Sequence, residues 1–179
     1  CGGYREYWDN VGGLGGEKGP IEIHFIDEVL PGYFWLFPVQ GNRVNVGIGM
    51  LISEHKKLKA DKKKSIKRIQ KWVINEHPRF KERFAEATLV PGSEKGWQLP
   101  FGSPRKKNPS PFQPRRTAMA GAMCVGDAAS LVDPFSGEGI GNALLSAKLT
   151  SNIFDKDLHK DGFSEDCADK YMQQLWEDL

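Results

Sequence analysis

Hydrophobic and polar residues alternate along much of the first hundred positions. Alternation in the segment 21–25, Ile-Glu-Ile-His-Phe, predicts a half-buried β-strand. The segments 33–40 and 44–51 alternate on either side of Gly41-Asn42 and together predict an antiparallel hairpin. The opening, 1–20, is predicted to be a strand or the end of a short helix followed by a flexible glycine loop. Two more short strands are expected, at 88–90 and 96–99.

Helical spacing appears where this alternation stops. Ile66, Ile69 and Val73 recur as one face of a helix, and Pro78 ends that pattern. A short second helix is expected at 80–84, which carries a phenylalanine at each end. The first half of the chain is therefore predicted to be a sheet with covering helices.

The pattern changes again from Thr117. The run 118–125 is small and nearly uncharged, which predicts a strand buried on both faces. A glycine-rich turn at 135–139 then leads into a helix with one apolar stripe, formed by Ile140, Leu144 and Ala147. The last helix is predicted to begin near Ser164, a residue that caps helix N-termini well.

These elements predict an α+β chain with two parts. Residues 1–116 would form a domain with an antiparallel sheet, and residues 117–179 a strand, a glycine-rich turn and helices. The segment 102–116 is rich in proline, glycine and basic residues, which predicts a loop before the second part.

Composition excludes some classes of protein. The chain has 179 residues, 39% of them hydrophobic and 27% charged, and no apolar run approaches the roughly 20 residues of a membrane-spanning helix. The net charge of +2 gives no reason to expect nucleic-acid binding. A cytoplasmic protein is expected, since three cysteines without a close pair form neither a disulfide framework nor a zinc site.

One segment is strongly basic against this background. Between Lys56 and Lys71 there are nine Lys or Arg residues and one acid, Asp61. Such a run is usually the solvated face of a helix. The alternative is peripheral contact with an anionic membrane or attraction to a substrate phosphate, which would suit an enzyme acting on a lipid.

Other chemistries find little support in the sequence. The four histidines are scattered without a His-Glu-x-x-His pattern, so no metal site is expected. Ser136 is not part of a Gly-x-Ser-x-Gly motif, which leaves an esterase unsupported. The chain begins with Cys1 and its last helical pattern continues to Leu179, so it is expected to be a fragment of a longer protein.

The segment 125–142 carries the strongest candidate chemistry. A strand ending in Gly126-Asp127 would place a carboxylate where it can accept hydrogen bonds from ligand hydroxyls. Gly137, Gly139 and Gly141 would leave backbone amides unobstructed at a helix start, which suits a polar or anionic ligand. The alternative is a tight strand-to-helix turn with a capping aspartate.

Three aromatic residues are predicted to share one face of the hairpin. In a strand, Tyr33, Trp35 and Phe37 point to the same side, and Phe34 and Leu36 to the other. This arrangement would give an aromatic wall suited to a long apolar ligand. The alternative is that these side chains form the core of a buried sheet.

Both segments resemble known flavoprotein motifs. Gly126-Asp127 with the downstream Gly-Glu-Gly-Ile-Gly resembles the second flavin-binding motif of FAD enzymes related to p-hydroxybenzoate hydroxylase. The segment 33–38, Tyr-Phe-Trp-Leu-Phe-Pro, together with Gly47-Ile48-Gly49, resembles the Tyr-x-Trp-x-Phe-Pro signature and following Gly-x-Gly of geranylgeranyl reductases. The resemblance extends over roughly residues 20–150.

This resemblance implies an FAD-dependent reductase that saturates double bonds of a geranylgeranyl-type prenyl lipid by hydride transfer from reduced flavin. NAD(P)H or another reductant would reduce the flavin. The implied flavin-binding residues, with Asp127 on the ribityl chain, are Gly126, Asp127, Pro134, Gly137, Gly139, Ile140, Gly141 and Asn142. The implied lipid-binding residues are Tyr33, Trp35, Phe37, Pro38, Gly47 and Gly49. No residue is assigned as the proton donor.

One motif of these flavoproteins is absent. The Gly-x-Gly-x-x-Gly loop that binds the ADP half of FAD is not found, because 12–16 follows no hydrophobic strand and Asn142 replaces the last glycine of 137–142. The resemblance then implies that 1–116 is a substrate domain, that 117–179 is the later part of a flavin domain, and that the ADP-binding part lies upstream. The isolated chain is expected to bind FAD weakly and to be inactive.

Two alternative functions remain open on the sequence. A flavin-dependent monooxygenase or halogenase shares the Gly-Asp motif but lets reduced flavin react with oxygen. A non-catalytic lipid-binding module would use the aromatic wall alone, with the glycine-rich turn as a structural element.

Overall fold

The computed structural model of the protein describes residues 2–14, 16–51, 65–101 and 115–179. The chain divides into two compact units, Cys1–Gln98 and Leu99–Leu179. The division falls before the basic segment 102–116, most of which lies outside the described residues, as does most of the Lys56–Lys71 segment. Of the residues that follow this gap, Arg115 donates a hydrogen bond to Ser130 of the second unit.

The first unit is built on an antiparallel sheet. Its strands are β1 (Gly2–Asp9), β2 (Glu22–His24), β3 (Gly32–Val39), β4 (Arg43–Met50), β5 (Thr88–Leu89) and β6 (Lys95–Gln98). They are ordered β2-β3-β4-β1-β5, and β6 also pairs with β1. The long hairpin β3–β4 confirms the prediction for 33–51, with Trp35 opposite Gly47 and Phe37 opposite Asn45.

One face of this sheet is covered by helix α1 (Ile66–Asn75). Phe34, Leu36 and Ile48 are fully buried on that inner face, and Val73 of the helix is buried in the same core. Ser65 caps the helix by accepting a hydrogen bond from the Arg68 amide. The predicted second helix is a short 3-10 turn, Lys81–Phe84.

A buried carboxylate ties the sheet to the helix. Glu6 lies on the inner face of β1 and is only 7% exposed. It accepts hydrogen bonds from Tyr4 Oη (2.8 Å), Trp8 Nε1 (3.0 Å) and Gln70 Nε2 of α1 (3.1 Å). Burial and the Glu6 carboxylate raise the pKa of the Tyr4 hydroxyl above its usual range, so it remains a donor. Most of the hydrogen-bonding capacity of this buried acid is thereby used.

The second unit begins differently from the sequence prediction. Residues 118–125 do not form one buried strand but a small hairpin of β7 (Ala118–Met119) and β8 (Ala122–Met123). Gly121 turns this hairpin with φ of 79°. Met119 and Val125 are exposed, so the small, uncharged side chains reflect a tight turn rather than burial on both faces.

Two helices form the core of the second unit. Helix α2 (Ile140–Asp161) and helix α3 (Glu165–Asp178) pack through Leu149, Ile153, Tyr171 and Leu175. Ser164 caps α3 by accepting from the Cys167 amide, as predicted. The stripe predicted on α2 is the wrong face, because Ile140, Leu144 and Ala147 are exposed and the packed positions are offset from them.

The α+β class is confirmed, with an antiparallel sheet and three α-helices among the described residues. Within that part of the chain, no helix combines the length and apolar character needed to cross a membrane.

Candidate functional site

An aromatic wall covers the outer face of β3. Tyr33, Trp35 and Phe37 all project to that face, with ring centroids 5.9 Å apart from Tyr33 to Trp35 and again from Trp35 to Phe37. All three are half-buried, so each keeps an accessible surface. Burial raises the pKa of the Tyr33 hydroxyl, which keeps it neutral. The rings are thus a surface of the sheet and do not belong to its fully buried core.

The Trp35 indole lies flat on the neighbouring strand β4. Its Nε1 donates to Asn45 Oδ1 at 3.0 Å. A Cβ atom added at Gly47 would stand less than 3.0 Å from three atoms of the indole, so Gly47 is the floor beneath the ring. Gly49 lies further along, where an added Cβ would make ordinary contact at 3.6 Å. The two predicted glycines therefore shape the wall by making room for Trp35.

A row of small residues continues across the sheet beyond this wall. Tyr33 pairs with Gly49, Gly49 with Gly3, and Gly3 with Trp97 on β6. Trp97 is 80% exposed. Two glycines thus separate the backbone positions of the two aromatic residues, which are three strand spacings, roughly 14 Å, apart. Pro38, predicted to bind lipid, pairs with Val44 and lies on the inner face, away from the aromatic wall.

The structure adds three apolar residues to the wall that the sequence analysis did not identify. Ile23 pairs with Trp35 and is 48% exposed on the same face. Phe25 contacts the Tyr33 ring edge-on, with centroids 6.5 Å apart, and Ile21 is also exposed. The alternation at 21–25 already indicated that these apolar residues share one face of a strand. Only the pairing of β2 with β3 shows that this face is the outer one, which carries the aromatic wall.

The polar residues of β2 point inward, against the usual rule for a half-buried strand. Arg83 donates from Nη1 and Nη2 to both carboxylate oxygens of Glu22 at 2.7 and 2.9 Å. His24 Nε2 lies 2.7 Å from Glu22 Oε2, and its ring packs edge-on against Phe80 at 4.8 Å. This network satisfies the inward groups and leaves the apolar face of β2 outward.

The network shifts two pKa values in a consistent direction. Hydrogen bonds from Arg83 hold the pKa of Glu22 below its usual value. Burial lowers the pKa of the His24 imidazole, although the Glu22 carboxylate opposes this. Both shifts mean that the folded state takes up protons less readily than the unfolded chain.

The second candidate site lies in the other unit, at the Gly126-Asp127 turn. Residues Gly126–Ala129 form a 3-10 turn in which the Gly126 amide donates to Ser146 Oγ of α2 at 3.0 Å. Gly126 has φ of 54°, and an added Cβ would be 3.0 Å from the Ala143 methyl group. The absence of a side chain thus lets the turn approach α2 closely, while Asp127 stays exposed.

The glycine-rich turn before α2 is held by its own carboxylates. Asp133 Oδ1 accepts from the amides of Phe135 (2.8 Å) and Ser136 (2.6 Å), and these bonds, the Ser136 amide first, lower the pKa of Asp133. Glu138 Oε1 accepts from the Gly141 amide at 2.8 Å. Pro134 and Ile140 are exposed, and Gly137 turns the chain with φ of 75°.

The two segments converge at the N-terminus of α2. A Cβ added at Gly139 would lie 3.1 Å from Asp127 Oδ1, so the carboxylate stands directly beside the helix start. Asn142 Nδ2 donates to the Leu131 carbonyl at 2.7 Å and fixes the connecting chain. An exposed carboxylate next to the positive end of a long helix can bind a ligand that has both hydroxyl groups and an electron-rich edge.

The second unit also contains a cavity close in sequence to this turn. A cavity of about 440 Å³ is lined by the β7–β8 hairpin and by residues 128–130, next in sequence to Asp127. Across the described ranges, no three His, Cys, Asp or Glu side chains are close enough to hold a metal ion.

Comparison with known proteins identifies sequences that are similar to this chain. The family profile of the geranylgeranyl reductase catalytic domain matches residues 3–89. Digeranylgeranylglycerophospholipid reductase 2 of Methanococcoides burtonii is 33% identical over 151 residues, which are 84% of this chain and 31% of that protein. The digeranylgeranylglycerophospholipid reductase of Methanococcus aeolicus is 30% identical over 90% of this chain and 36% of its own length.

Solved structures share the fold. A geranylgeranyl bacteriochlorophyll reductase-like protein from Thermoplasma acidophilum aligns with a TM-score of 0.74 and 22% identity, covering 99% of this chain and 39% of that one. The myxobacterial chondrochloren halogenase, an FAD-dependent halogenase, aligns with a TM-score of 0.69 and 22% identity over 99% of this chain and 38% of its own. The chain spans about a third of the length of its curated relatives. By the profile, residues 3–89 match the geranylgeranyl reductase catalytic domain, and most of the chain is similar to digeranylgeranylglycerophospholipid reductases.

Proposed function

We propose that this chain is part of an FAD-dependent reductase that saturates the double bonds of a prenyl lipid. The observation that carries the proposal is the aromatic wall seated on the glycines of β4, within the segment that matches the geranylgeranyl reductase catalytic domain. Two relatives are digeranylgeranylglycerophospholipid reductases, which supports a prenyl lipid as the substrate class.

The first unit would bind the lipid. Tyr33, Trp35 and Phe37 offer an apolar surface that excludes water, and Ile23 and Phe25 lengthen it. Because an isolated double bond has no polar group to grip, shape and water exclusion must position it. The hydrogen bond from Trp35 to Asn45 and the close fit over Gly47 hold the central ring of this surface in place.

The second unit would contribute to the flavin site, and its residues fit that group. Asp127 is exposed and able to accept hydrogen bonds from ribityl hydroxyls, and Gly139 leaves the space beside it clear. The Gly139 and Ile140 amides would face the flavin ring at the positive end of α2, while the Gly141 amide is bound by Glu138. When bound and reduced, FAD supplies the hydride for the reduction. NAD(P)H or another reductant would supply its electrons.

The proposal includes the domain assignment, with a substrate domain at residues 1–116 and a flavin domain at residues 117–179.

The proposal also includes a cytoplasmic location, with peripheral contact at an anionic membrane through Lys56–Lys71. Most of that segment lies outside the described residues. Membrane contact is tested with a variant in which Lys62, Lys63 and Lys64 are changed to Gln. This variant should bind anionic vesicles more weakly than the wild type, by a margin that shrinks as salt is added.

The reductase activity is tested with the full-length protein. The flavin is reduced without oxygen and mixed with a geranylgeranyl lipid, while flavin reoxidation and product mass are followed together. We expect reoxidation with a gain of about 2 Da for each double bond. Flavin that stays reduced until air is admitted, and then turns over an aromatic substrate, would instead support a monooxygenase or halogenase. Lipid binding with no flavin at all would support a non-catalytic module.

Two substitutions separate the roles of the units. Trp35→Ala should weaken lipid binding and leave flavin content intact, because the indole packs on β4 and binds Asn45, both in the first unit. Asp127→Asn should weaken FAD binding and leave lipid affinity intact, with Asp166→Asn, an exposed acid in the first turn of α3, as the matched control. Flavin titration of the isolated chain should show weak binding, and tight stoichiometric binding would contradict that part of the proposal.

A further inference from the structure

The outer face of the first unit's sheet is divided into an apolar part and a cationic part. The apolar part lies on β2 and β3, and the Trp35 indole extends it across β4. On the next strands, Arg5 of β1 pairs with Lys95 of β6, so both cations project to the same face as the indole. Gly47 pairs with both Trp35 and Arg5, which makes the two parts direct neighbours.

Arg5 is held in a fixed orientation. Its Nη1 donates to the Ser93 carbonyl at 2.9 Å, and its guanidinium lies 4.5 Å from the centre of the Tyr7 ring. These contacts use one of the five guanidinium N–H groups, and a planar guanidinium held this way is well suited to bind an oxyanion. Lys95 is exposed beside it and adds a second charge.

Carboxylates on this face do not neutralise the two cations. Asp9 is the acidic side chain that the described strands place on the outer face, and Arg43 binds it through Nε (2.7 Å) and Nη2 (3.0 Å). That pairing holds the pKa of Asp9 below its usual value. Glu6 and Glu22 point to the inner face. The cationic part therefore keeps a positive charge that favours an anionic ligand group.

We propose that Arg5 and Lys95 bind the anionic phosphate end of the prenyl ligand, while its chain lies on the aromatic wall. The inference rests on the proposed function and adds a polar recognition element to it. Register places Arg5 two strands from Trp35, roughly 10 Å away across the indole-covered strand. One amphipathic ligand can thus contact both parts of the face. The site selects a prenyl phosphate over the corresponding alcohol because a charge-assisted contact is lost with the alcohol.

The test compares three probes on the full-length protein: geranylgeranyl phosphate, geranylgeraniol and inorganic phosphate. Calorimetric titration should show at least tenfold tighter binding of the lipid phosphate than of the alcohol, an advantage that shrinks with added salt. Arg5→Gln and Lys95→Gln should each reduce the affinity for the phosphate about fivefold or more and leave that for the alcohol unchanged. Lys81→Gln removes the same charge from the 3-10 turn and should change neither affinity.

Different failures have different meanings. If the wild type binds and reduces both lipids with equal affinity, the phosphate site is refuted and the reductase proposal stands. If neither lipid binds, the proposed function itself fails. Lys95 is exposed, so Lys95→Gln should fold normally. If it lowers the affinity for both lipids equally, the cations do not select the anionic end of the ligand. Inorganic phosphate binding as tightly as the lipid phosphate would assign the site to a free anion and overturn its role in lipid recognition.

Discussion

The fit between Gly47 and Trp35 makes a sharp prediction for the change Gly47→Ala. The added methyl group would lie less than 3.0 Å from three atoms of the indole, a separation that folded proteins do not tolerate. The opposing atoms belong to a rigid ring that is also anchored to Asn45 at 3.0 Å. The ring must therefore leave its position on β4 or the strands must separate.

The expected cost follows from that geometry. Overpacking of this kind costs about 1–3 kcal/mol, and loss of the Trp35–Asn45 hydrogen bond about 1 kcal/mol more. Reduced freedom of the unfolded chain returns about 0.4–1 kcal/mol. A net loss of about 2 kcal/mol should lower the melting temperature by about 4–8 °C for a chain of this size. Gly49→Ala is the matched control, because its methyl group would make an ordinary 3.6 Å contact.

Thermal unfolding followed by circular dichroism measures the stability of both variants. Lipid titration measures how tightly the aromatic wall binds prenyl lipid. Gly47→Ala should be less stable than the wild type and bind prenyl lipid more weakly, while Gly49→Ala should stay within about 1 kcal/mol of the wild type. Equal melting temperatures for the two variants would refute the reasoning that the indole rests on Gly47.

Three further predictions concern stability. Burial lowers the pKa of His24, so the unfolded chain binds protons more readily and stability should fall as pH drops below about 6.5. In urea unfolding between pH 7.5 and 5.5, the midpoint of His24→Gln should therefore fall less with pH than that of the wild type. Gly126→Ala should cost more than Gly121→Ala in thermal unfolding, since both have positive φ but only the former meets Ala143. Ser164→Ala should cost about 1 kcal/mol by removing the cap of α3, and an unchanged melting temperature would contradict that role.

The sequence was sufficient to predict the hairpin and its aromatic wall. Alternation at 33–51 fixed both strands, and a period of two placed Tyr33, Trp35 and Phe37 on one face. The seat of the indole could not be predicted, because it depends on which residue of β4 stands opposite Trp35. That register is set by the turn at Gly41-Asn42, where φ is positive at both residues.

Strand β2 was predicted but its orientation was not. Apolar residues of a half-buried strand normally face the core, yet Glu22 and His24 do so here. The reason is Arg83, about sixty positions away in sequence, whose guanidinium satisfies Glu22 inside the unit. A charge from a distant turn cannot be read from local alternation.

Errors in the second unit have a related cause. The small residues of 118–125 look the same in a buried strand and in a tight hairpin, and the hairpin is distinguished by Gly121 alone. Helix α2 carries apolar residues on more than one face, so periodicity could not select the packed one. The convergence of Asp127 with Gly139, by contrast, was foreseeable from the glycine spacing.

The buried Glu6 makes the contact between sheet and helix directional. Apolar side chains would tolerate a helix shifted by one turn along the sheet, because hydrophobic contact has no preferred orientation. Gln70 cannot shift without leaving the carboxylate short of a donor, which is costly inside a core. This single acid therefore fixes the position of α1 along the sheet. A redesign of the core should replace Glu6 together with its donors Tyr4, Trp8 and Gln70.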